Sequence, residues 1–144
     1  MDQCIFTATR KANRVLFRHY QNALSPTGIS IVQLSVLRAL ERHGPLMLSR
    51  LADELAMERT SLYRTIEPLV TLGAVQVKSA IKGKAKIAEL TEEGYDTIKR
   101  VMPFWSEAQG CILEEVGGDA LNDLVKLLKS VSKFPRSKKE MTND

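Results

Sequence analysis

The stretch that most constrains this chain runs from Leu46 to Gly94. Leu46-Met47-Leu48 is a short apolar run of strand character. Ser49 to Ala56 and Glu58 to Leu72 then repeat their apolar residues at helical spacing. Ala74 to Thr91 alternates in two arms around Lys82-Gly83-Lys84, the pattern of a hairpin with a basic tip. A short strand, two short helices and a basic hairpin in this order specify a winged helix-turn-helix. That module lays one helix in the DNA major groove and a β-hairpin beside it.

Local chemistry supports each piece. Ser49 is placed to cap the first of the two helices, with Asp53 and Glu54 in its early turns and Leu51, Ala52 and Leu55 facing inward. The second helix buries Leu62, Ile66 and Leu69 at i, i+4 and i+7. That turns Thr60, Arg64 and Thr71 outward, with Ser61 and Tyr63 on the flanks. Gly73 follows as the residue past the helix end, and Pro68 removes a backbone donor inside it, so a slight bend is expected there. In the hairpin Val75 and Val77 alternate with Gln76 and Lys78, and Ile87 to Leu90 forms the return strand.

The flanking segments are helical. Cys4 to Leu24 spaces Ile5, Ala8, Ala12, Val15, Leu16, Ala23 and Leu24 along a helix, with Arg10, Arg14 and Arg18 as a separate basic stripe. Ser25-Pro26-Thr27-Gly28 breaks it. Ser30 caps a second helix built on Leu34, Leu37, Ala39 and Leu40 and ended by Gly44-Pro45. Thr91-Glu92-Glu93-Gly94 opens a long helix by a threonine cap backed by acids. Its seam reads Tyr95, Ile98, Met102, Trp105, Ile112 and Val116, with a kink expected at Pro103. Gly117-Gly118-Asp119 separates a last helix carrying Leu121, Leu124, Val125, Leu128 and Val131. The expected organisation is a single mainly α (α+β) domain over residues 1–144. It holds a winged lobe at 30–94, helical dimerisation regions at 1–29 and 95–134, and a flexible tail at 135–144. The terminal seams need cover; packing on the central module or pairing between two subunits would supply it, and pairing would bury both.

Charge narrows the partner. The net charge of +4 is modest, but Lys78, Lys82, Lys84 and Lys86 stand together with no acid before Glu89. Arg64 can reach guanine O6 and N7 with two donors. Thr60 and Ser61 can reach phosphates or base edges, and Arg59 can hold a phosphate at the helix start. Ser49, Tyr63, Lys82, Lys84 and Lys86 complete the candidate DNA-contacting set, the lysines either tracking phosphates or simply keeping the hairpin soluble. With His19 and His43 as the only histidines and no hydrolase, metalloprotease or phosphate-loop motif, catalysis is not expected. Cys4 and Cys111 are too few and too far apart for a disulfide framework or a zinc site, so neither metal nor cofactor is expected. No apolar run approaches ~18 residues, and the N-terminus lacks a basic segment followed by an apolar one. A cytoplasmic location without a membrane partner is the expectation.

Leu51-Ala52-Asp53-Glu54-Leu55-Ala56-Met57-Glu58-Arg59-Thr60-Ser61-Leu62, Pro68-Leu69, Gly73-Ala74-Val75 and Leu90-Thr91-Glu92-Glu93-Gly94 together resemble the multiple-antibiotic-resistance regulator (MarR) family of transcription factors. The resemblance covers nearly the whole chain. It implies a homodimer with interlocked N- and C-terminal helices, two winged modules reading a pseudo-palindromic operator in double-stranded DNA, and repression relieved by a ligand or oxidant. The chain departs from the family pattern at the wing, where Ser79 to Lys84 holds neither the usual Asp nor the usual Arg, and at Tyr63, where a small hydroxyl residue is common. Cys4 at the opening of the first helix and Cys111 on the long one resemble the two-cysteine, organic-hydroperoxide-sensing branch. There an N-terminal thiol is oxidised and joins a cysteine of the other subunit. A helix N-terminus lowers a thiol pKa and favours the reactive thiolate. The competing effector is a small lipophilic molecule in a pocket near Phe17, Tyr20 and Trp105. A different class of function, a winged helix used for protein contact without DNA, predicts no salt-dependent DNA binding.

Overall fold

Capping chemistry sets some of the element boundaries. The computed structural model describes residues 3–80 and 83–134, so Lys82 and the 135–144 tail lie outside the described residues. Helix α1, Ile5–Leu24, starts at Cys4 and gives way to a 3-10 turn at Ser25–Thr27. Helix α2, Ile31–His43, begins with a reciprocal box: Ser30 Oγ accepts from the Gln33 N–H at 3.0 Å, and Gln33 Oε1 accepts from the Ser30 N–H at 2.9 Å. Strand β1, Leu46–Met47, runs without a break into α3, Leu48–Glu54, and α4 spans Arg59–Thr71. Strands β2, Val75–Ser79, and β3, Lys86–Leu90, form the hairpin; helices α5, Glu92–Val116, and α6, Gly118–Ser132, close the chain.

Two turns aim the helices of the motif. Between α3 and α4, Ala56 takes a left-handed conformation (φ 50°), and the Met57 N–H donates to Ala52 O. At the end of α4, the Gly73 N–H donates to Val70 O and the Ala74 N–H to Leu69 O, the paired bonds of a Schellman motif. Gly73 has φ 81°, which a residue without Cβ adopts at no steric cost.

The sheet is antiparallel in the order β1-β3-β2, with Leu46 opposite Ala88 and Val77 opposite Ala88 from the other side. Leu34, Leu37 and Leu40 of α2, Leu51 of α3, Leu62, Ile66 and Leu69 of α4, Val75 and Ala88 of the sheet, and Ile98 and Val101 of α5 make one buried cluster. The expected inward residues of α2 and α4 are all there. His19 Nε2 donates to Ala108 O at 2.8 Å and Arg100 Nη1 to Thr27 O at 3.0 Å, which ties α5 to α1 and the following turn.

Three expectations are corrected. Ser49 is not the cap of α3, because pairing of β1 with β3 delivers Leu48 into the core as the first helical residue and Met47 becomes the N-cap. Tyr95 is 47% exposed and leaves the α5 seam, which instead buries Gly94, Thr97, Ile98, Val101 and Ala108. Val116, also expected in that seam, is exposed.

Thr97 is fully buried, and its Oγ1 has no hydrogen-bond partner among the described residues. A desolvated, unpaired hydroxyl costs about 1–3 kcal/mol, whereas an apolar group of the same shape there costs nothing comparable. Thr97→Val is therefore expected to stabilise the protein by about 1 kcal/mol, read as a higher urea midpoint at unchanged m-value. A lower midpoint would show that the hydroxyl is satisfied.

The chain divides into two compact units, Met1–Ala108 and Gln109–Asp144. The first contains the winged lobe. In the second, α6 buries none of its residues: Val125, Leu127 and Val131 are all exposed.

Candidate nucleic-acid interface

The helix-turn-helix and the hairpin meet at a concavity of about 280 Å³. Its walls come from the β1–α3 junction (Met47, Leu48, Ser49), from one flank of α4 (Arg59, Leu62, Tyr63) and from the hairpin (Lys84, Ala85, Lys86). Five residues expected from the sequence to contact DNA thus line one surface: Ser49, Arg59, Tyr63, Lys84 and Lys86. Arg59 and Tyr63 share a flank because they are one helical turn apart. Leu62 beside them is buried and fixes the rotation of α4. Among the described residues no acid lines the groove, and three of the lining side chains are cationic.

The remaining candidates on α4 stand outside the groove but remain exposed. Thr60, Ser61 and Arg64 occupy the outer face, while Thr65 turns its hydroxyl back to Ser61 O at 2.9 Å. Glu58 precedes the helix and gives its first-turn N–H groups no side-chain cap. That end of α4 carries the partial positive charge of the helix toward the groove side. At the hairpin end the Ala80 N–H donates to Ala85 O at 2.7 Å, and Gly83 takes φ 105° at the tip. Met47 was not legible as a groove residue. It is 47% exposed, and only the pairing of β1 with β3 brings it beside Lys86.

The aromatic candidates separate. Tyr20 stacks on Trp105 with ring centroids 6.4 Å apart and an interplanar angle of 17°. Burial pushes the Tyr20 hydroxyl pKa above its ordinary value. Trp105 lines a concavity of about 310 Å³ with Met102, Leu34 and two arginines of α2, Arg38 and Arg42. Those arginines were not singled out from the sequence, although their four-residue spacing places them on one face. Phe17 lies apart, in a more open groove on α1 between Arg14, Arg18 and Gln21.

Both thiols are free and exposed. Cys4 sits at the N-cap of α1, where the Thr7 backbone N–H, then the Thr7 hydroxyl and the Phe6 N–H, lower its pKa from the ordinary thiol value. Among the described residues no group of three or more His, Cys, Asp or Glu side chains is placed to hold a metal ion. No single helix there is long and apolar enough to cross a membrane.

Known proteins share this architecture. A model of the IclR helix-turn-helix domain matches residues 33–79, from within α2 to the end of β2. No curated protein matches the sequence. The transcriptional regulator MosR of M. tuberculosis is 30% identical, with 90% of this chain and 96% of that chain covered and a TM-score of 0.77. A second MosR structure, in complex with DNA, gives 29% identity over the same shares and a TM-score of 0.76. A mutant of E. coli MarR complexed with operator DNA matches in fold at 21% identity and a TM-score of 0.79, covering 91% of this chain and 94% of that one. These relatives are regulators and not enzymes. Identity at that level along almost the full length of both chains, on a winged lobe whose groove is basic, establishes that this chain belongs to the MarR family of DNA-binding transcriptional regulators.

Proposed function

We propose that the chain acts as a homodimeric repressor that occupies a pseudo-palindromic operator through two winged lobes. The observation that carries this reading is the groove itself, where Arg59 and Tyr63 of α4 face Lys84 and Lys86 of the wing across an acid-free surface. On this reading α4 enters the major groove with Arg64, Thr60 and Ser61 at base edges, Arg59 and Ser49 hold phosphates, and the wing lysines follow the neighbouring backbone. Residues 30–94 form the DNA lobe, and residues 1–29 and 95–134 join the subunits.

Exposed apolar surface supports the dimer. Ile5, Phe6 and Val15 of α1 and Val125, Leu127 and Val131 of α6 are all more than 45% exposed in the single chain. Large exposed apolar side chains repeated along each helix are what an association surface presents. Footprinting on the DNA beside the coding region tests the reading. Two protected half-sites one helical turn apart (~34 Å) or a multiple of it are expected. A single protected half-site bound by a monomer would refute it.

For release, Cys4 is the favoured trigger. Its thiolate attacks a hydroperoxide, the O–O bond breaks, an alcohol leaves, and Cys4 becomes a sulfenic acid. A thiol, Cys111 of the partner subunit, then forms the disulfide with loss of water. Because the Cys4 pKa is lowered, its alkylation by iodoacetamide is expected to reach half-maximal rate below the pH of an ordinary thiol. Non-reducing electrophoresis after peroxide should show a covalent dimer that Cys4→Ser and Cys111→Ser each abolish. If the Cys4→Ser protein still leaves DNA on oxidation, the trigger lies elsewhere. A small lipophilic molecule at Tyr20 and Trp105, with Arg38 and Arg42 at the rim, is then the effector.

A further inference from the structure

The wing divides its cations between two faces. Strand alternation sends Val75, Val77 and Ala88 toward the core, with Lys86 on the face of Ala88. Gln76, Lys78 and Glu89 occupy the opposite face, and Gln76 lies directly across from Glu89 in the antiparallel register. There Lys78 Nζ is 2.5 Å from Glu89 Oε1, and Gln76 Nε2 donates to the same oxygen. Glu89 is the only acid between Val75 and Leu90, a segment with four lysines. Its carboxylate is committed to Lys78, which, unlike Lys84 and Lys86, does not line the groove. The Lys78 hydrogen bond is the main cause that holds the Glu89 carboxyl below its ordinary pKa, so it stays ionised at neutral pH.

We propose that Glu89 is a specificity-determining positioning residue: by tying Lys78 down on the outer face, it removes one cation from those the wing offers to phosphates and leaves the groove-side Lys84 and Lys86. A free lysine on a long stem meets any phosphate equally well, so it strengthens binding to all sequences and dilutes the preference for one. Gln76 shares the oxygen and keeps the carboxylate over the strand pair. The inference rests on the reading that the wing contacts DNA, and it adds which lysine is withheld and by what.

The test measures binding of the full-length protein to a random-sequence duplex by fluorescence anisotropy over a salt series. Wild type, Glu89→Gln, Lys78→Ala and the double variant are compared; glutamine keeps the shape and removes the charge. Glu89→Gln is expected to bind the random duplex several-fold more tightly and to steepen the slope of log K against log salt by about 0.9 per subunit, one added phosphate contact for each wing on the DNA. Lys78→Ala alone should leave the slope at the wild-type value, and the double variant should return to it. A role limited to wing stability would move the melting temperature and not follow this pattern.

If Lys78→Ala alone flattens the slope, Lys78 is already on the DNA and the proposal is wrong. If the double variant stays as steep as Glu89→Gln, the gain comes from removing a negative charge and not from releasing Lys78, and the proposal is again wrong. Should Lys84→Ala leave the wild-type slope intact, the underlying wing reading is what fails.

Discussion

Gly94→Ala is expected to destabilise the protein by about 3 kcal/mol, the upper end of what overpacking costs. A Cβ at this position would stand 2.2 Å from Ala74 O and 2.9 Å from Leu90 Cδ2. The first contact is with backbone, which cannot rotate away. Moving it would also strain the bond from the Thr91 N–H to Ala74 O at 3.2 Å. Thr91 is the hinge of this corner. Its Oγ1 donates to Gly73 O at 2.5 Å and accepts from the Gly94 N–H at 3.1 Å, so the end of α4, the start of β2 and the first turn of α5 are held at one point. Urea unfolding at fixed protomer concentration should show the lower midpoint at unchanged m-value. A loss below about 1 kcal/mol would mean that the corner opens readily, in which case it does not fix the wing root.

Arg64→Ala is expected to cost about 1–3 kcal/mol of operator affinity while leaving affinity for random DNA much less affected. Arg64 is exposed on the outer face of α4, opposite the buried Leu62, Ile66 and Leu69 that set the rotation of the helix. A guanidinium at that position offers the two donors that guanine O6 and N7 accept. Competition titrations with operator and random duplexes separate the effects. An equal loss on both would reassign Arg64 to the phosphate backbone.

The parts of the fold legible in the sequence are those decided by neighbours along the chain. Ser30 caps α2, Gly73 ends α4, Thr91 caps α5, and Leu62, Ile66 and Leu69 face inward, all within one or two helical turns of the residues that decide them. What was not legible depends on partners distant in sequence. Ser49 looks like a cap until Met47 pairs with Ile87 and itself becomes the N-cap, two residues earlier. Tyr95 fits an apolar spacing on α5, but the close approach of Ala74 brings Gly94 to the packed side instead. The four lysines of the hairpin read as one basic run, and only strand register shows that Lys78 belongs with Glu89 while Lys84 and Lys86 face α4. Helical spacing likewise could not tell which apolar residues of α1 and α6 the chain leaves uncovered.

The most direct test of the proposed DNA-binding groove is the salt dependence of binding by the wild type and by a Lys84→Ala/Lys86→Ala double variant. Each neutralised phosphate contributes about 0.9 to the slope of log K against log salt, so the double variant should flatten it by about 1.8 per subunit, about 3.6 for a dimer with both wings on the duplex, on operator and random DNA alike. An unchanged slope in a variant that remains folded would show that the wing does not meet the DNA backbone, and would contradict the assignment of this groove as the DNA-binding surface.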